Sequence, residues 1–248
     1  MAACKELTAN LVHDFLSSID TILCDCDGVL WGHDTALPGA AETLTKMRRL
    51  EEIVCPAFTA ASYLKYCLKF TGKVYLVGSK GMADELDLMD IQYVGEGPDP
   101  ATSLDIDEWK ALSIDKEVKA VLVGFDEHFS YIKLIKASTY LSDPGCVFIA
   151  TNQDEKFPVT GDIVIPDVGV LVSAVGTAVQ RQPVVVGKRA NIFFKLQWYQ
   201  SAKKVVIGDQ LTSDILMGRR NGLKTLLVET GLDKRSDAIE NMQSKSTE

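Results

Sequence analysis

The sequence predicts an α/β protein in which a mostly parallel β-sheet is covered by helices. Over most of the chain, short runs of β-branched and apolar residues alternate with segments whose apolar residues recur at helical spacing. Such alternation is typical of strand–helix–strand units and therefore of parallel sheets. The length of 248 residues suits one large domain, or a core with an inserted second domain.

The predicted elements follow one another in a regular order. A helix opens the chain, because Leu7, Leu11 and Phe15 recur at helical spacing, and the run "TILC" is the first strand. The helix "AETLTKMRRL" then follows Pro38 and Gly39. The later strands are "KVYLVGS", "VKAVLVGF", "CVFIATN", "PVVVGK", "KKVVIGD" and "LKTLLVET", and the later helices are "GMADELDLMD", "SYIKLIKASTYL", "VGVLVSAVGTAVQ", "NIFFKLQWYQ" and "SDILMGRRNG". We expect the polar tail "DKRSDAIENMQSKSTE" to fray.

The composition argues against several classes of partner. A net charge of −8 and a pI near 5.0 argue against binding nucleic acid through a basic surface. No apolar run approaches membrane-spanning length, and the start "MAACKELTAN" lacks the apolar stretch of a signal peptide. The six cysteines form neither CxxC pairs nor a disulfide-like density, which indicates reduced thiols and a cytoplasmic location.

The segment "LCDCDGVLWG" places two carboxylates directly after the first strand. Residues i and i+2 of a strand share a face, so we expect Asp25 and Asp27 to point together before Gly28 breaks the element. Two like charges this close repel each other unless a cation, a proton or a function holds them. The alternative is that both aspartates are turn or capping residues.

Charged residues also follow two later strands. Lys188 follows "VVVG", Asp209 follows "VVIG", and Asp214 lies shortly beyond. Ligands of open α/β sheets gather at the carboxyl ends of strands, so these side chains are expected to converge. Carboxylates suit Mg²⁺ and a lysine suits a phosphate oxygen, which together indicate phosphoryl transfer. The alternatives are a solvated Lys188 and an Asp214 that only stabilises the N-terminus of the next helix.

Five segments in consistent order resemble a known family. They are "DCDGVLW", "VGFDEHFSYIKL", "TNQD", "VVVGK" and "VIGDQLTSDILMGRRNGLKTLLVETG". They resemble the haloacid dehalogenase (HAD) superfamily, and within it the capped phosphatases of the 4-nitrophenylphosphatase, phosphoglycolate phosphatase and pyridoxal phosphatase group. A lone DxD pair is weak evidence, whereas five ordered motifs are specific.

The resemblance implies a role for each charged residue. Asp25 would be the nucleophile that forms an aspartyl-phosphate. Asp27 would be the general acid and base, and its backbone carbonyl would be a ligand of Mg²⁺ together with the carboxylates of Asp25 and Asp209. Asp214 would be a further, orienting metal-site carboxylate. Lys188 would neutralise the phosphoryl group.

The resemblance also implies the domain organisation. A HAD-like Rossmannoid core would comprise residues 1–58 and 183–248, and an inserted α/β cap would comprise residues 59–182. The cap is also a candidate surface for a homodimer. Gly28 and Asn152 are predicted on the substrate side, with a plain Asx turn as the alternative for Asn152. Asp126 and His128 are expected to shape a strand-to-helix turn rather than to act as an acid–base pair.

One departure from the family pattern concerns the second motif. Family members carry a Thr or Ser followed by Asn-Asn-Ser at a strand end, where the hydroxyl holds the phosphoryl group. Here "AFTAAS" is either a degenerate version containing Thr59, or part of the first cap helix with the motif segment absent. The second interpretation is favoured, because Pro56 would interrupt the required strand and no asparagine follows.

Two functions therefore remain open. The first is a Mg²⁺-dependent phosphatase that hydrolyses small phosphorylated metabolites such as phosphoglycolate, pyridoxal phosphate or aryl phosphates. The second is a catalytically weakened, shortened homologue that acts by binding a ligand or a partner. A phosphoacceptor receiver domain also combines acidic residues with a lysine, but such a domain is short and lacks an inserted cap.

Overall fold

The protein consists of two compact α/β units, each of which contains a parallel sheet. The structure is a computed structural model, and it describes residues 5–32, 35–47, 55–157, 163–187 and 203–244. The first unit comprises Met1–Ile53 and Gln197–Glu248, and the second comprises Val54–Leu196, so that the second is inserted into the chain of the first. The predicted α/β class with a parallel sheet is confirmed.

The elements of the first unit lie on both sides of the insertion. Before it come α1 (Ala9–Ser17), β1 (Thr21–Cys24), β2 (Trp31–Gly32), β3 (Thr35–Ala36) and α2 (Ala40–Met47). The second unit contains α3 (Pro56–Ser62), a π-helical turn (Tyr63–Cys67), β4 (Lys73–Val77), α4 (Lys80–Leu88), β5 (Tyr93–Val94), α5 (Ile106–Lys110), β6 (Val118–Val123), α6 (Tyr131–Leu141), β7 (Val147–Ala150), α7 (Val168–Val179) and β8 (Val184–Val185). After it come β9 (Lys204–Gly208), a π-helical turn (Leu211–Ile215), α8 (Leu216–Arg220), β10 (Lys224–Leu227) and α9 (Arg235–Ser244).

The sheet of the first unit places the carboxyl ends of β1 and β9 side by side. Among the described residues its strand order is β1-β9-β10, with every neighbour parallel. Cys24 pairs with Ile207, so the residues that follow both strands leave the sheet at the same edge. The buried Val205 and Val206 put β9 at the centre of this sheet. Parallel strands with that register are what a site at their carboxyl ends requires.

The sheet of the second unit has the order β5-β4-β6-β7-β8 and is parallel throughout. Its central strands are buried on both faces, as the near-continuous apolar runs of β4 and β6 predict. Val74 and Leu76 pack into one apolar cluster with α3 and α4, whereas Tyr75 and Val77 pack into a second with α6 and α7. This alternation follows from the two-residue period of a strand.

The boundaries of the two units differ from the expected core and cap. We expected changes after residues 58 and 182, but the compact units change after Ile53 and Leu196. Strand β8 pairs with β7 and so belongs to the sheet of the second unit, although we expected residues 183–248 in the core. An apolar β-branched run identifies a strand but not the neighbour with which the strand pairs.

The expected fraying of the C-terminal tail is wrong for Arg235–Ser244, which form helix α9. The backbone N–H of Lys234 donates to the Asp237 carboxylate at 2.7 Å, at the start of this helix. Arg235 forms an ion pair with Glu6 at 2.9 Å, and Ala238 is buried. Contacts with distant parts of the chain therefore stabilise a helix that its polar composition alone does not predict.

No helix within the part of the chain that the structure describes is long and apolar enough to span a membrane.

Candidate active site

Two strand ends bring the first two site aspartates together. Asp25 follows β1, and its backbone N–H donates to the carbonyl of Ile207 in β9 at 2.8 Å. Asp209 follows the last residue of β9, Gly208. Because β1 and β9 are parallel neighbours, both aspartates stand at the same edge of the first sheet.

Three carboxylates converge at this edge. One oxygen each of Asp25, Asp209 and Asp214 lies within 4.8 Å of the other two. Asp209 and Asp214 are buried, with 5% and 1% of their surfaces exposed, and Asp25 is partly buried. The Asp214 carboxylate also accepts the backbone N–H of Gln210 at 3.3 Å, so the residue orders the turn after β9 as well. These three residues lie close together in the structure, as their positions after strand ends predicted.

Two glycines allow the backbone to approach Asp209 closely. Gly28 has a φ of +75°, and a Cβ at this position would lie 2.6 Å from Asp209 Oδ2. A Cβ on Gly231 would lie 1.9 Å from the same oxygen. Any larger residue at either position therefore displaces Asp209 or the backbone beside it. Gly28 acts here as a backbone spacer next to the cluster.

A segment that the sequence interpretation did not single out, Thr230–Asp233, holds the two strand-end loops together. The backbone N–H of Leu232 donates to Asp209 Oδ2 at 2.8 Å, and that of Asp233 donates to the Asp209 carbonyl at 3.0 Å. The Asp233 carboxylate accepts the backbone N–H of Leu211 at 2.6 Å. Thr230 Oγ1 donates to the carbonyl of Gly28. Only the "TG" that ends the last family-like motif pointed to this segment.

Asp27 is held differently from Asp25. Strand β1 ends at Cys24, so the strand alternation from which we expected both carboxylates on one face does not reach them. The Asp27 carboxylate is exposed, and its Oδ1 accepts the indole N–H of Trp31 at 2.9 Å. Among the described residues, the three-carboxylate cluster includes Asp25 but not the Asp27 side chain.

The donor set of the cluster fits a hard divalent cation. Carboxylate oxygens are the ligands that Mg²⁺ takes, usually one or two from the protein with water in the other positions. Ionised carboxylates within 4.8 Å of one another repel, and the attraction of each to a divalent cation between them would offset that repulsion. Two of the three side chains are buried, which separates this cluster from acidic groups on an open surface.

Asn152 lies after β7, in the second unit. Its Nδ2 donates to the Asp154 carboxylate at 3.0 Å, and its Oδ1 accepts the hydroxyl of Thr151 at 3.3 Å. Asp167 is the N-cap residue of helix α7, and its carboxylate accepts the backbone N–H of Val168 at 2.6 Å. Burial raises the pKa of the Asp167 carboxyl, and the nearby Asp154 charge raises it further. These contacts give Asn152 a local structural role, and its predicted place on the substrate side stays a prediction.

Thr59 lies in a helix of the second unit and not at the end of a core strand. Helix α3 begins with Pro56 in its first turn, and the Cys55 sulfur accepts the backbone N–H of Phe58 at 3.3 Å. The Thr59 hydroxyl donates to the carbonyl of Cys55 at 3.1 Å, and the residue is fully buried. The favoured interpretation of "AFTAAS" as a cap helix agrees with this position.

The other predicted residues divide into two cases. Lys188 lies outside the described residues, and so does the predicted helix "NIFFKLQWYQ". Asp126 forms a buried ion pair with Lys133 at 2.6 Å and accepts the backbone N–H of His128 at 2.8 Å. The backbone, not the imidazole, of His128 therefore meets Asp126, as expected of residues that shape a turn.

Comparisons with known proteins identify the family of this chain. The model of the HAD-hydrolase-like family matches residues 184–247. Glycerol-3-phosphate phosphatase from Homo sapiens is 36% identical over 285 aligned positions, which cover 98% of this chain and 89% of the relative. 4-Nitrophenylphosphatase from Schizosaccharomyces pombe is 31% identical and covers 92% of this chain and 89% of its own length. The chain belongs to the HAD superfamily of hydrolases.

Within that superfamily the chain falls in the group that contains these named phosphatases. A solved structure, that of a glycerol phosphate phosphatase from Mycobacterium tuberculosis in complex with magnesium, has the same fold. Its TM-score is 0.71 at 22% identity, over 91% of this chain and 72% of that one. The alignment with the human relative extends over more positions than this chain has residues. The relative therefore carries residues that have no counterpart here.

Proposed function

We propose that this protein is a Mg²⁺-dependent phosphatase that hydrolyses phosphate monoesters of small metabolites through an aspartyl-phosphate intermediate. The observation that carries the proposal is the convergence of Asp25, Asp209 and Asp214 at the carboxyl ends of two neighbouring parallel strands. The names of the relatives support the same class of substrate, since both act on a phosphate monoester.

The cluster would bind the phosphoryl group through a metal ion. Asp25 and Asp209 would hold Mg²⁺ directly, together with the backbone carbonyl of Asp27, and Asp214 would orient the site from its buried position. A bound Mg²⁺ supplies positive charge beside the phosphoryl oxygens, which allows a carboxylate to approach an anionic ester. We assign Lys188 to the same phosphoryl oxygens.

In the first chemical step, a carboxylate oxygen of Asp25 attacks phosphorus. The new O–P bond forms as the bond from phosphorus to the ester oxygen breaks, and the leaving oxygen takes a proton from Asp27. The product alcohol departs. The phosphoryl group stays on Asp25 as an acyl phosphate.

In the second step, Asp27 removes a proton from water as the water oxygen attacks phosphorus. The O–P bond to Asp25 breaks, phosphate leaves, and Asp27 is again protonated for the next cycle. One water is consumed for each alcohol and phosphate released, so the atoms and charges balance. The position of Asp27 outside the carboxylate cluster suits a group that exchanges protons with substrate and water.

A second candidate function is ligand or partner binding by a weakened enzyme. It is favoured by the residues that the human relative has and this chain lacks, and by the position of Thr59 in a helix of the second unit. A chain without a hydroxyl for the transferring phosphoryl group keeps the nucleophile and the metal site. Such a protein would bind phosphate esters with little turnover.

A metal-dependence assay tests the proposed function. Protein treated with EDTA and then desalted is expected to release no phosphate from 4-nitrophenyl phosphate, and added Mg²⁺ is expected to restore the release. Glycolate, pyridoxal, glycerol and nucleotide phosphates form the panel that identifies the substrate. Activity that is unchanged after thorough chelation would contradict the metal assignment.

The same assay separates the two candidate functions. If no ester in the panel is hydrolysed by protein whose Mg²⁺-dependent rise in melting temperature shows an intact metal site, the binding function is favoured. The exposed Asp14→Asn variant is the control for nonspecific effects of changing an aspartate. It is expected to behave as the unaltered protein.

We further propose a cytoplasmic location, because the six cysteines form neither CxxC pairs nor a disulfide-like density, a pattern typical of proteins in a reducing compartment. The homodimer through the second unit stays a prediction, which sedimentation velocity tests.

A further inference from the structure

Residues 26–31 form a tight turn, which brings the indole of Trp31 next to the exposed carboxylate of Asp27. The carbonyl of Cys26 accepts the backbone N–H groups of Leu30 and Trp31 at 2.8 and 3.1 Å. The N–H of Gly28 donates to the carbonyl of Trp31 at 2.7 Å. Trp31 also pairs with Ala36 across the β2–β3 hairpin. These main-chain bonds hold the backbone of Trp31 in place.

The indole N–H of Trp31 is not needed to close this turn. It donates instead to Oδ1 of Asp27 at 2.9 Å. The main-chain bonds already hold the turn, so the indole bond mainly fixes the Asp27 side chain. That bond restricts the rotation of a carboxylate that is otherwise exposed.

The direction of the bond determines which carboxylate oxygen can exchange a proton. An indole nitrogen can only donate, so Oδ1 is the accepting oxygen whenever the bond is made. The unprotonated oxygen of a carboxyl group is the better acceptor, so a proton on Asp27 is favoured on Oδ2. Catalysis by a general acid depends on the placement of its proton within hydrogen-bond reach of the leaving oxygen.

We propose that Trp31 is a positioning residue that holds Asp27 so that Oδ2, and not Oδ1, gives the proton to the leaving oxygen of the ester. This inference rests on the proposed phosphatase function and deepens it. Trp31 acts through Asp27, and it lies outside the three-carboxylate cluster that the structure describes. Its removal should therefore affect proton transfer and leave metal binding unchanged.

The leaving group of the substrate provides the test. An alkoxide leaves poorly unless it is protonated, whereas 4-nitrophenolate is a stable anion that leaves without a proton. The value of kcat/KM reports the steps up to departure of the leaving group, so it isolates the step in which Asp27 acts as an acid. The ratio of kcat/KM for glycerol 3-phosphate to that for 4-nitrophenyl phosphate is then the quantity to measure.

Trp31→Phe keeps an aromatic ring and removes the N–H. We expect kcat/KM for glycerol 3-phosphate to fall about tenfold, the scale of one hydrogen bond to a charged group, while that for 4-nitrophenyl phosphate falls much less. The Mg²⁺-dependent rise in melting temperature should be that of the unaltered protein. Trp31→His retains a ring N–H and is expected to have a ratio between those of the other two proteins.

Trp109→Phe is the matched control, because the Trp109 indole N–H donates to the carbonyl of Ser103 at 3.0 Å in the second unit. It should leave the ratio unchanged. An equal loss for both esters in Trp31→Phe, an unchanged ratio in both Trp31 variants, or a lost Mg²⁺ effect would overturn the inference. These outcomes are distinct from failure of the proposed function, in which the unaltered protein hydrolyses neither ester.

Discussion

The two units of this protein place carboxylates at the same topological position and balance their charge in different ways. In the second unit, Asp126 follows strand β6, and its partner is the ammonium of Lys133 at 2.6 Å, with both side chains fully buried. In the first unit, Asp25 and Asp209 follow neighbouring parallel strands and meet Asp214 within 4.8 Å. Within the described ranges, one sheet edge brings an acid beside a base, and the other brings three acids together.

The difference shows that the role of an aspartate after a strand depends on the groups around it. A buried ion pair whose members come from the same unit is complete, and it keeps the turn between β6 and α6 in one conformation. Three converging carboxylates are instead the kind of donor set that a divalent cation would take. The position of an acidic residue at the end of a parallel strand does not by itself indicate a site. The balance of charge around it does.

The largest effect is expected from the removal of one charge from the three-carboxylate cluster. Asp25→Asn is expected to reduce turnover at least about 10³-fold, because the amide cannot act as the nucleophile. Without metal, its melting temperature should stay close to that of the unaltered protein, since asparagine keeps the shape of the side chain and the fold. Phosphate release and thermal unfolding with and without Mg²⁺ measure both effects. Turnover at the level of the unaltered protein would mean that the aspartyl-phosphate mechanism is wrong.

In the second unit, removing one charge of the Asp126–Lys133 ion pair is expected to destabilise the fold. Lys133→Met leaves the buried Asp126 carboxylate without its cation, and Asp126→Asn leaves the ammonium without its anion. Each should lower the free energy of unfolding by about 3 kcal/mol or more, and the double variant by less than the sum of the two. Urea unfolding measures these differences.

Lys110→Met is the control for this pair. It breaks the exposed ion pair between Lys110 and Asp107 at 2.8 Å, whose two side chains are mostly in solvent. Such a pair contributes little, so the midpoint of unfolding should barely move. If the Lys133 and Lys110 variants lost equal stability, burial would not be what distinguishes the ion pair of the second unit.

A smaller effect is expected from disturbing the backbone that supports the cluster. A Cβ at position 231 would lie 1.9 Å from Asp209 Oδ2, so Gly231→Ala must shift Asp209 or the segment Thr230–Asp233. We expect the Mg²⁺ concentration for half-maximal activity to rise roughly tenfold to a hundredfold, the scale for losing support of a metal ligand. The Mg²⁺ concentration for half of the rise in melting temperature should move in parallel. Gly81→Ala, where a Cβ meets nothing within 4 Å, should change neither quantity.

The sequence was informative about the residues that a strand end presents. The patterns of β1 and β9 predicted where Asp25 and Asp209 would leave the sheet, and the parallel register then brings them together. Asp214 was expected to converge with them because it lies shortly beyond Asp209, and the resemblance to the HAD superfamily gave it the role of an orienting carboxylate. Each of these inferences depends on the local period of a strand or on a short motif, which a single sequence records well.

Contacts between distant segments could not be predicted from the sequence. Leu232 bonds to Asp209 from 23 positions away, and Arg235 bonds to Glu6 across 229 positions. Neither residue type has a local pattern that names its partner. For the same reason, the apolar run of β8 predicted a strand but not its place beside β7. The Asp27–Trp31 bond is local, but it depends on a turn whose geometry the spacing of four residues does not specify.

The smallest effect is expected at Thr59, whose hydroxyl is already used within the second unit. Thr59 Oγ1 donates to the carbonyl of Cys55 at 3.1 Å inside helix α3, and the residue is fully buried. Thr59→Ala should therefore leave kcat/KM for 4-nitrophenyl phosphate unchanged, while the free energy of unfolding falls by about 1 kcal/mol for the lost hydrogen bond. Thr59→Ser, which keeps the hydroxyl, is the control and should lose less stability. A loss of roughly 10²-fold in rate, the scale for removing one donor to a developing charge, would show that this hydroxyl reaches the transferring phosphoryl group. The second unit would then contribute a polar group to catalysis, and the contrast between its ion pair and the proposed metal site of the first unit would no longer hold.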